Sequence, residues 1–384
     1  MDSDGGDSNA HCRHRAANRF FFRRRRFQIT NARIAGRTSH ACFFTPEQAV
    51  ATAFDPVMFT PILQALLIAA LSLISIPLLL LHLLYRLVSR PCRARAPPPR
   101  SILITGASSG IGADLALHYA KALGGAGVAL ALSGRNLAAL EAVAAACRAH
   151  GATVSATAVD VTDRARMAEW VAASEAGAPL DLVIANAGVT ERTAGAPPSD
   201  LDAGSRACME ANFTGVLNTV LPALPAMRAR GRGQVCVISS IAGFTQFAAF
   251  ESYSASKAAA RMWAEGLRWR LHAEGVRVSC VVPGYVSTPM TEAFGGSLNL
   301  MGIVSSAHAV RRIAAGLAED EGLIAFPSAT FIVSHALGAL PPKVKDLLAW
   351  SGLAAEVRYD AARGGGGAGR AAAEQPLAPA AGKR

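Results

Sequence analysis

The sequence predicts an α/β fold in which a doubly wound parallel sheet forms a single domain at residues 101–326. Short apolar runs of strand length alternate with longer segments of helical periodicity through this region. The apolar runs contain few polar residues, which is typical of parallel strands covered on both faces. A glycine-rich turn joins the first apolar run to the first helical segment, and no long linker or internal repeat divides the region.

Strands and helices are predicted in strict alternation, as a doubly wound sheet requires. The strands are placed at residues 102–105, 128–133, 154–160, 182–185, 235–239 and 276–282. The helices are placed at residues 111–123, 137–150, 165–176, 206–227 and 254–274. Because parallel strands need crossover connections, each helix is expected to cover one face of the sheet.

The glycine pattern follows a predicted strand and opens a predicted helix, which is the context that makes such a pattern informative. Gly106 permits a tight turn, Gly110 a close approach of the backbone to a pyrophosphate, and Gly112 close packing of helix on strand. Phosphates would lie at the helix N-terminus, where free N–H groups favour anions. The pattern predicts a Rossmann-type dinucleotide site that contains Thr105, Gly106, Ser108, Ser109, Gly110, Ile111 and Gly112.

Residues at the ends of the next strands indicate which dinucleotide binds. A site for NAD usually has an acidic residue after the second strand, whereas this chain has Gly134 and Arg135. Arginine can pair with a 2′-phosphate, so the sequence favours NADP (NADPH) over NAD; the alternative is a solvated loop arginine. Asp160 is placed to accept a hydrogen bond from the adenine amino group. The residues expected along the cofactor ribose are Asn186, Ala187 and Gly188. For Asn186, a bridge between neighbouring strands is an equal alternative.

A tyrosine and a lysine four residues apart provide the candidate proton-transfer group. On a helix, this spacing places Tyr253 and Lys257 on one face. A cation beside a phenol favours the phenolate and lowers its pKa from about 10 toward neutral pH. A tyrosine in that setting can act as a general acid or base. The alternative is a surface pair on an amphipathic helix.

These positions together resemble the short-chain dehydrogenase/reductase family across about residues 101–326. The family's motifs occur in order, except that Ala185 stands where the fourth-strand motif usually begins with asparagine. The resemblance implies that Tyr253 exchanges a proton with the substrate oxygen, while Lys257 binds the nicotinamide ribose and lowers the tyrosine pKa. It also implies that Ser240 hydrogen-bonds the same oxygen and that Asn212 holds a proton-relaying water. The nicotinamide end of the cofactor is then expected beside Pro283, Gly284, Val286 and Thr288.

The charge distribution argues against a nucleic-acid partner. The formal net charge is +11, but most of this net charge lies before residue 101, where 14 Arg or Lys face 5 Asp or Glu, and the predicted domain is nearly neutral. A nucleic-acid-binding domain would carry its basic surface on the folded part. The seven cysteines are scattered without metal-ligand spacing, so no metal site is predicted.

The first hundred residues are predicted to form three segments. Residues 1–60 are a basic extension, interpreted as a transit peptide, as a disordered tail, or as sequence upstream of a true start at Met58. Residues 61–88 are predicted to be a transmembrane anchor, with a buried core helix as the alternative. Residues 89–100 are a proline- and arginine-rich linker. This organisation predicts the endoplasmic reticulum membrane, with the domain facing the cytosol; the alternative is a mitochondrion or plastid.

Substrate specificity is expected between Thr288 and Ser306. The uncharged stretch 293–304 is interpreted as a lid over an apolar pocket, or equally as a helix packed on the core. Phe244, Phe247 and Phe250 are candidates for the same pocket. Residues 327–362 are an apolar C-terminal extension that contacts the bilayer, completes the pocket or joins subunits, and residues 363–384 are a disordered tail.

The resulting expectation is a membrane-anchored enzyme that transfers a hydride between NADP(H) and a carbonyl or alcohol of a lipophilic substrate. Resemblance to membrane-bound members of the family suggests a 3-keto sphingoid base, a steroid or a retinoid. The alternatives are a non-catalytic NADP-binding sensor or scaffold, and an isomerase or epimerase on the same fold. The resemblance further implies a homodimer or homotetramer built through the helices at 206–227 and 254–274.

Overall fold

The computed structural model describes residues 95–195, 200–246, 250–292 and 302–350, together with five isolated positions between residues 73 and 84. The predicted basic extension, most of the predicted anchor at 61–88, and the tail at 363–384 lie outside the described residues. The stretch 293–301 also lies outside them. The fold below therefore concerns the predicted catalytic domain and the part of the C-terminal extension up to residue 350.

A seven-stranded parallel sheet forms the centre of this region, as the sequence predicted. Its strand order is β3-β2-β1-β4-β5-β6-β7. The direction of winding changes between β1 and β4, where a doubly wound sheet has its ligand-binding crevice. The strands are β1 Ser101–Thr105, β2 Ala129–Gly134, β3 Thr153–Ala158, β4 Leu182–Ala185, β5 Gly233–Ile238, β6 Val276–Pro283 and β7 Leu323–Phe326. The four-residue strand β7 was not predicted.

Helices cover both faces of the sheet. They are α1 Gly110–Leu123, α2 Leu137–Arg148, α3 Arg164–Gly177, α4 Leu201–Met209, α5 Gly215–Val220, α6 Leu224–Arg230, α7 Glu251–Leu271, α8 Pro289–Glu292, α9 Ser306–Ala318, α10 Ser328–Ala339 and α11 Pro342–Trp350. Leu103 belongs to one buried apolar cluster, whereas its neighbours Ile102 and Ile104 belong to another. Strand β1 is therefore buried on both faces, which explains why its sequence does not alternate with polar residues.

The single helix predicted at residues 206–227 is divided into several pieces. A π-helical segment, Glu210–Thr214, separates α4 from α5, and α6 begins separately at Leu224. Pro225 lies in the first turn of α6, where its missing N–H costs no helical hydrogen bond. Apolar periodicity alone does not reveal such interruptions, because the pieces keep nearly the same buried face.

The predicted location in the endoplasmic reticulum membrane is wrong. Among the residues that the structure describes, no helix has both the length and the apolarity needed to cross a bilayer. Helix α7 has 21 residues but carries Lys257, Arg261 and Arg268, among other charges. Helix α10 is apolar but has only 12 residues, which corresponds to about 18 Å against a hydrocarbon core of about 30 Å.

The C-terminal extension packs on the domain through α10. Phe331, Ile332 and Ala336 are buried against the sheet and its helices. The Phe331 ring meets the Phe244 ring edge-on, with centroids 5.2 Å apart. The apolar residues of this helix therefore serve, at least in part, to complete the core of the domain.

Candidate active site

A cavity of about 550 Å³ lies along the carboxyl ends of the strands and spans the crevice between β1 and β4. Loops after six of the strands contribute to its wall. Three predicted site residues, Thr105, Gly112 and Asn212, lie behind the wall. The other predicted residues line the cavity itself, namely Gly106, Ser108, Ser109, Gly110, Ile111, Arg135, Asp160, Asn186, Ala187, Gly188, Ser240, Tyr253, Lys257, Pro283, Gly284, Val286 and Thr288.

The glycine turn has the backbone geometry that its sequence predicted. Gly106 and Gly110 have φ of +66° and +57°, in the region that residues with side chains rarely adopt. A Cβ on Gly112 would lie 2.4 Å from the Gly106 carbonyl oxygen, so this position has no room for a side chain. The capping residue Ser109 makes no side-chain hydrogen bond to α1. The first N–H groups of α1 are therefore available to an anion.

Thr105 and Asn186 tie the glycine turn to the loop after β4. The Thr105 hydroxyl oxygen accepts the N–H groups of Asn186 and Ala187 at 3.1 and 3.3 Å. The Asn186 side chain donates to the carbonyl oxygens of Thr105 and Gly106 at 3.0 and 3.1 Å. Asn186 thus forms the bridge between strands that was one of its two predicted roles, and it also lines the cavity.

The far end of the cavity contains Gly134, Arg135 and Asp160. Arg135 is exposed, and within the described part of the chain it makes no ion pair. Asp160 Oδ1 accepts hydrogen bonds from the N–H and the hydroxyl of Thr162, both at 2.9 Å. These bonds fix the carboxylate at the cavity wall. A cation and an oriented acceptor therefore occupy this end of the site.

Ser240 and Tyr253 both line the other end of the cavity. Ser240 begins the 3₁₀ turn Ile241–Gly243, and its hydroxyl oxygen accepts the N–H of Ala242 at 3.2 Å. The Ser240 hydroxyl lies near enough to the Tyr253 phenol to lower its pKa. Both hydroxyl groups lie on the wall of the same cavity, where they can bind an oxygen atom of a bound molecule.

Burial controls the protonation of both Tyr253 and Lys257. The Lys257 ammonium donates to the Ile238 carbonyl oxygen at 2.9 Å and lies 5.8 Å from the centroid of the Tyr253 ring. Burial lowers the pKa of Lys257 to about 8. Burial likewise raises the pKa of Tyr253 to about 12, although the nearby Ser240 hydroxyl acts in the opposite direction. The raised value differs from the expected lowering because desolvation of the phenolate outweighs the distant cation.

Asn212 lies in the π-helical segment and is fully buried. Its Oδ1 accepts the Val189 N–H at 2.7 Å, and its Nδ2 donates to the Val189 carbonyl and to Ser256 Oγ at 2.8 and 2.9 Å. A Cβ on Gly188 would lie 2.9 Å from Asn212 Oδ1 and 3.1 Å from Lys257 Nζ. Asn212 and Lys257 therefore face the same glycine from behind the cavity wall. The π geometry, which often marks functional sites, lies where the sequence predicted an uninterrupted α-helix.

Sequence reasoning missed several residues around the site. Glu191 binds the first turn of α7, although nothing in its local pattern marks it for that role. Phe244, a pocket candidate, instead packs beneath the Arg261 guanidinium, which lies 4.1 Å from its ring centroid. Phe250 lies 6.4 Å from Tyr253 between ring centroids, and Phe247 is outside the described residues. Unpredicted cavity residues include Ala194, Ala207, Glu210, Ala211 and Met290.

Comparisons of sequence and of structure both find proteins that are similar to this chain. A family model described as short chain dehydrogenase matches residues 100–297. An uncharacterized oxidoreductase of Myxococcus xanthus is 34% identical over 253 residues, which are 65% of this chain and 96% of that protein.

Two solved structures share the fold. A short-chain dehydrogenase from Sphingobium yanoikuyae in complex with NADPH has 26% identity and a TM-score of 0.53, covering 68% of this chain and 97% of that one. A short chain dehydrogenase from Mycobacterium paratuberculosis bound to NAD has 25% identity and a TM-score of 0.52, covering 60% and 97%. The two differ in their nicotinamide cofactor, so likeness alone does not choose between NADP and NAD.

Proposed function

The chain belongs to the short-chain dehydrogenase/reductase family, and we propose that it is an enzyme that transfers a hydride between NADP(H) and a carbonyl or alcohol carbon. The observation that carries this proposal is that Ser240, Tyr253 and Lys257 line the wall of one cavity. The same cavity extends to the glycine turn and the open N-terminus of α1. A proton-transfer group and a dinucleotide cradle therefore share one space.

The residues of the cradle fit a nicotinamide dinucleotide. The uncapped N-terminus of α1 suits the pyrophosphate, and Asp160, held at the cavity wall by Thr162, would accept a hydrogen bond from the adenine amino group. Lys257, on the cavity wall, would hold the nicotinamide ribose. When bound, the cofactor supplies or accepts the hydride, and the protein supplies binding, orientation and the proton.

NADP is the preferred cofactor in this proposal. No acidic residue follows β2, and Arg135 lies at that end of the cavity without an ion-pair partner among the described residues. A free guanidinium can form charge-assisted hydrogen bonds with a 2′-phosphate. An acid that would bind the 2′-hydroxyl of NAD is missing from the same place.

The proton is transferred by Tyr253 in this proposal. In the reductive direction its phenol donates a proton to the carbonyl oxygen, while Ser240 donates a second hydrogen bond to that oxygen. Because burial keeps the Tyr253 pKa at about 12, the phenol carries its proton at neutral pH. At neutral pH, Tyr253 therefore already holds the proton that reduction of a carbonyl needs.

The proposed substrate is a ketone or alcohol with an apolar body. Small apolar side chains line the cavity near the loop after β4 and the π-helical segment, and they include Val189, Ala194, Ala207 and Ala211. Such a lining favours burial of an apolar group. Long-chain 3-keto bases, steroid ketones and retinal are the classes to test.

The test is NADPH oxidation by the full chain against these three substrate classes. Tyr253→Phe and NADH serve as controls. Turnover of one ketone with NADPH that is lost in Tyr253→Phe would support the proposal. Tight NADPH binding without oxidation across the panel would favour a non-catalytic NADP-binding protein. Conversion of a substrate without net NADPH consumption would indicate an isomerase or epimerase.

A further inference from the structure

The helix that carries Tyr253 begins without a local cap. Its N-cap residue is Phe250, whose side chain has no hydrogen-bond acceptor for the N–H groups of the first turn. The first four N–H groups of any helix lack intrahelical partners, and they are usually satisfied by a serine, threonine, aspartate or asparagine at the N-cap. Tyr253 is the third residue of α7, so its position depends on how this first turn is held.

Glu191 supplies the missing cap from another part of the chain. Its Oε1 accepts the N–H of Ser252 at 2.9 Å and the N–H of Tyr253 at 2.8 Å. A carboxylate at a helix N-terminus is favoured by both hydrogen bonding and the helix dipole. Glu191 lies three residues after Gly188, so the loop that lines the cavity also holds the start of the helix that carries Tyr253.

The loop that presents Glu191 is itself fixed. The Thr190 N–H donates to Thr193 Oγ1 at 2.8 Å, and the Thr193 N–H donates to Thr190 Oγ1 at 3.3 Å. Thr190 is only 2% exposed. A second bond, from Ser252 Oγ to Ser205 Oγ at 2.7 Å, ties the same turn of α7 to α4. The first turn of α7 is therefore held from two sides.

The charge of Glu191 also acts on the Tyr253 phenol. Besides burial, the titratable groups that raise the pKa of the Tyr253 phenol are Cys208 on α4, Tyr285 after β6 and Glu191 after β4; the Lys257 ammonium lies 5.8 Å from its ring centroid. Lys257 is the one cation among these groups, and its ammonium donates a hydrogen bond to the Ile238 carbonyl oxygen. A carboxylate that is hydrogen-bonded to the tyrosine backbone N–H disfavours the phenolate, because the two negative charges repel.

We propose that Glu191 is a positioning residue that caps α7, fixes the place of Tyr253 on the cavity wall, and sets a negative charge beside the turn that carries the phenol. This inference rests on the proposed function, because it assigns Glu191 a part in proton transfer by Tyr253. Its geometric basis is independent of the substrate.

The variants Glu191→Ala and Glu191→Gln separate the two effects. Glutamine keeps an oxygen that can accept both N–H groups but removes the charge, whereas alanine removes both. With the ketone that the protein reduces, Glu191→Ala should lower kcat about ten-fold or more, since small misplacements of a reacting group are costly. Glu191→Gln should have a kcat close to that of the wild type. Its rate of alcohol oxidation should reach a given value at a lower pH than in the wild type.

Asp163→Ala is the matched control. Asp163 is also a carboxylate cap, accepting the Arg166 N–H at 3.1 Å at the start of α3, which carries none of the proposed catalytic residues. The Asp163→Ala variant should lower the melting temperature without changing kcat or the pH profile. The inference is overturned if Glu191→Ala behaves in the same way as Asp163→Ala. A Glu191→Gln profile identical to the wild type would also overturn it.

A direct titration separates failure of this inference from failure of the proposed function. Tyrosine labelled with ¹³C at Cζ reports phenolate formation by NMR, and Tyr253→Phe assigns the signal. Glu191→Gln should show more Tyr253 phenolate than the wild type at the same alkaline pH, whether or not a substrate is known. Equal titration curves would contradict the inference even in an active enzyme. If Glu191→Ala does not fold, this comparison still decides the question.

Discussion

At the scale of single residues, the protonation of Tyr253 determines how rate should depend on pH. Reduction needs the protonated phenol, and with a pKa of about 12 the phenol stays protonated well above neutral pH. Oxidation needs the phenolate. While the pH is below the pKa, the phenolate fraction rises about ten-fold for each unit by which the pH increases. Reduction by NADPH should therefore stay nearly constant from about pH 7 to 10, while oxidation with NADP⁺ should rise without a plateau. Oxidation that levels off near pH 8 would show instead that the phenol titrates close to neutral pH.

The buried ammonium of Lys257 should lower the free energy of unfolding of the protein. Its pKa falls from 10.5 to about 8 on folding, so below about pH 8 the folded state bears the cost of a buried ammonium. That cost is on the order of 3 kcal/mol, against about 1 kcal/mol for its hydrogen bond to Ile238. Lys257→Met should therefore be inactive but about 2 kcal/mol more stable at pH 7.

The sign of this difference can be followed with pH. Between the folded and unfolded pKa values, the unfolded chain binds more protons, so wild-type stability rises with pH. The advantage of Lys257→Met should therefore shrink from pH 8, and it should reverse before pH 10.5, where the cost of the buried charge has fallen below the contribution of the hydrogen bond. Urea unfolding of both proteins at pH 7 and pH 10 is the measurement. A variant less stable than wild type at pH 7 would mean that the hydrogen bond outweighs the desolvation.

Arg135 should set the preference for NADPH. A hydrogen bond to a charged group contributes about 1.5–3 kcal/mol, so Arg135→Ala should lower kcat/KM for NADPH roughly ten- to a hundred-fold. The value for NADH should change little, because NADH lacks the 2′-phosphate. Arg148→Ala, which removes an exposed arginine paired with Glu141 on α2, is the control. Equal losses with both cofactors would assign Arg135 to the pyrophosphate or to the fold.

At the scale of elements, the loop after β4 joins the cavity wall to the groups behind it. A methyl group at Gly188 would press on both Asn212 and Lys257, at 2.9 and 3.1 Å. Gly188→Ala should therefore destabilise the protein by about 1–3 kcal/mol and lower kcat by displacing the lysine. Gly177→Ala, at the end of α3, is the control, because an added Cβ there would meet no atom within 4 Å. An active Gly188→Ala enzyme with wild-type stability would show that the neighbours move aside at little cost.

Elements with strong local signals were predictable from the sequence. The strands β1, β2, β4, β5 and β6 are mostly apolar runs of strand length, and the glycine turn needs positive φ angles that favour glycine. The start of α7 was placed at residue 254, three residues late, because its cap comes from Glu191, more than sixty residues away. The breaks around Asn212 were missed for a similar reason, since its partners Val189 and Ser256 lie on other elements.

The candidate site was predictable in its members but not in its electrostatics. The structure gathers most of the predicted residues around one cavity, because the loop residues follow parallel strands that end at one edge of the sheet, and α7 carries Tyr253 and Lys257 to the same edge. The raised pKa of Tyr253 depends instead on burial and on the position of the Lys257 ammonium, which bonds to the Ile238 carbonyl. A helical spacing fixes the face on which two side chains lie but not the partners that they find.

At the scale of the whole molecule, the outer face of α7 carries two exposed apolar residues, and we propose it as the contact with a second copy of the chain. Met262 and Trp269 are seven residues apart, which places them on one face two turns apart, and they are 65% and 81% exposed. An exposed tryptophan on a helix beside other exposed apolar residues is typical of an interface. Family resemblance implied a homodimer or homotetramer through this helix, so we expect α7 to pack against its symmetry-related copy.

Trp269→Glu should therefore reduce the size of the assembly. A charge at the centre of an isologous contact appears twice across the symmetry axis, so the interface loses apolar area and gains like-charge repulsion. Leu137→Glu, at an exposed apolar residue that begins α2, is the matched control and should leave the assembly unchanged. Light scattering during gel filtration measures the mass of all three proteins. A monomeric wild type at micromolar concentration would contradict the dimer, and an unchanged Trp269→Glu assembly would place the contact elsewhere. Because α7 also carries Tyr253 and Lys257, loss of activity along with dissociation would show that the contact supports the helix on which proton transfer depends.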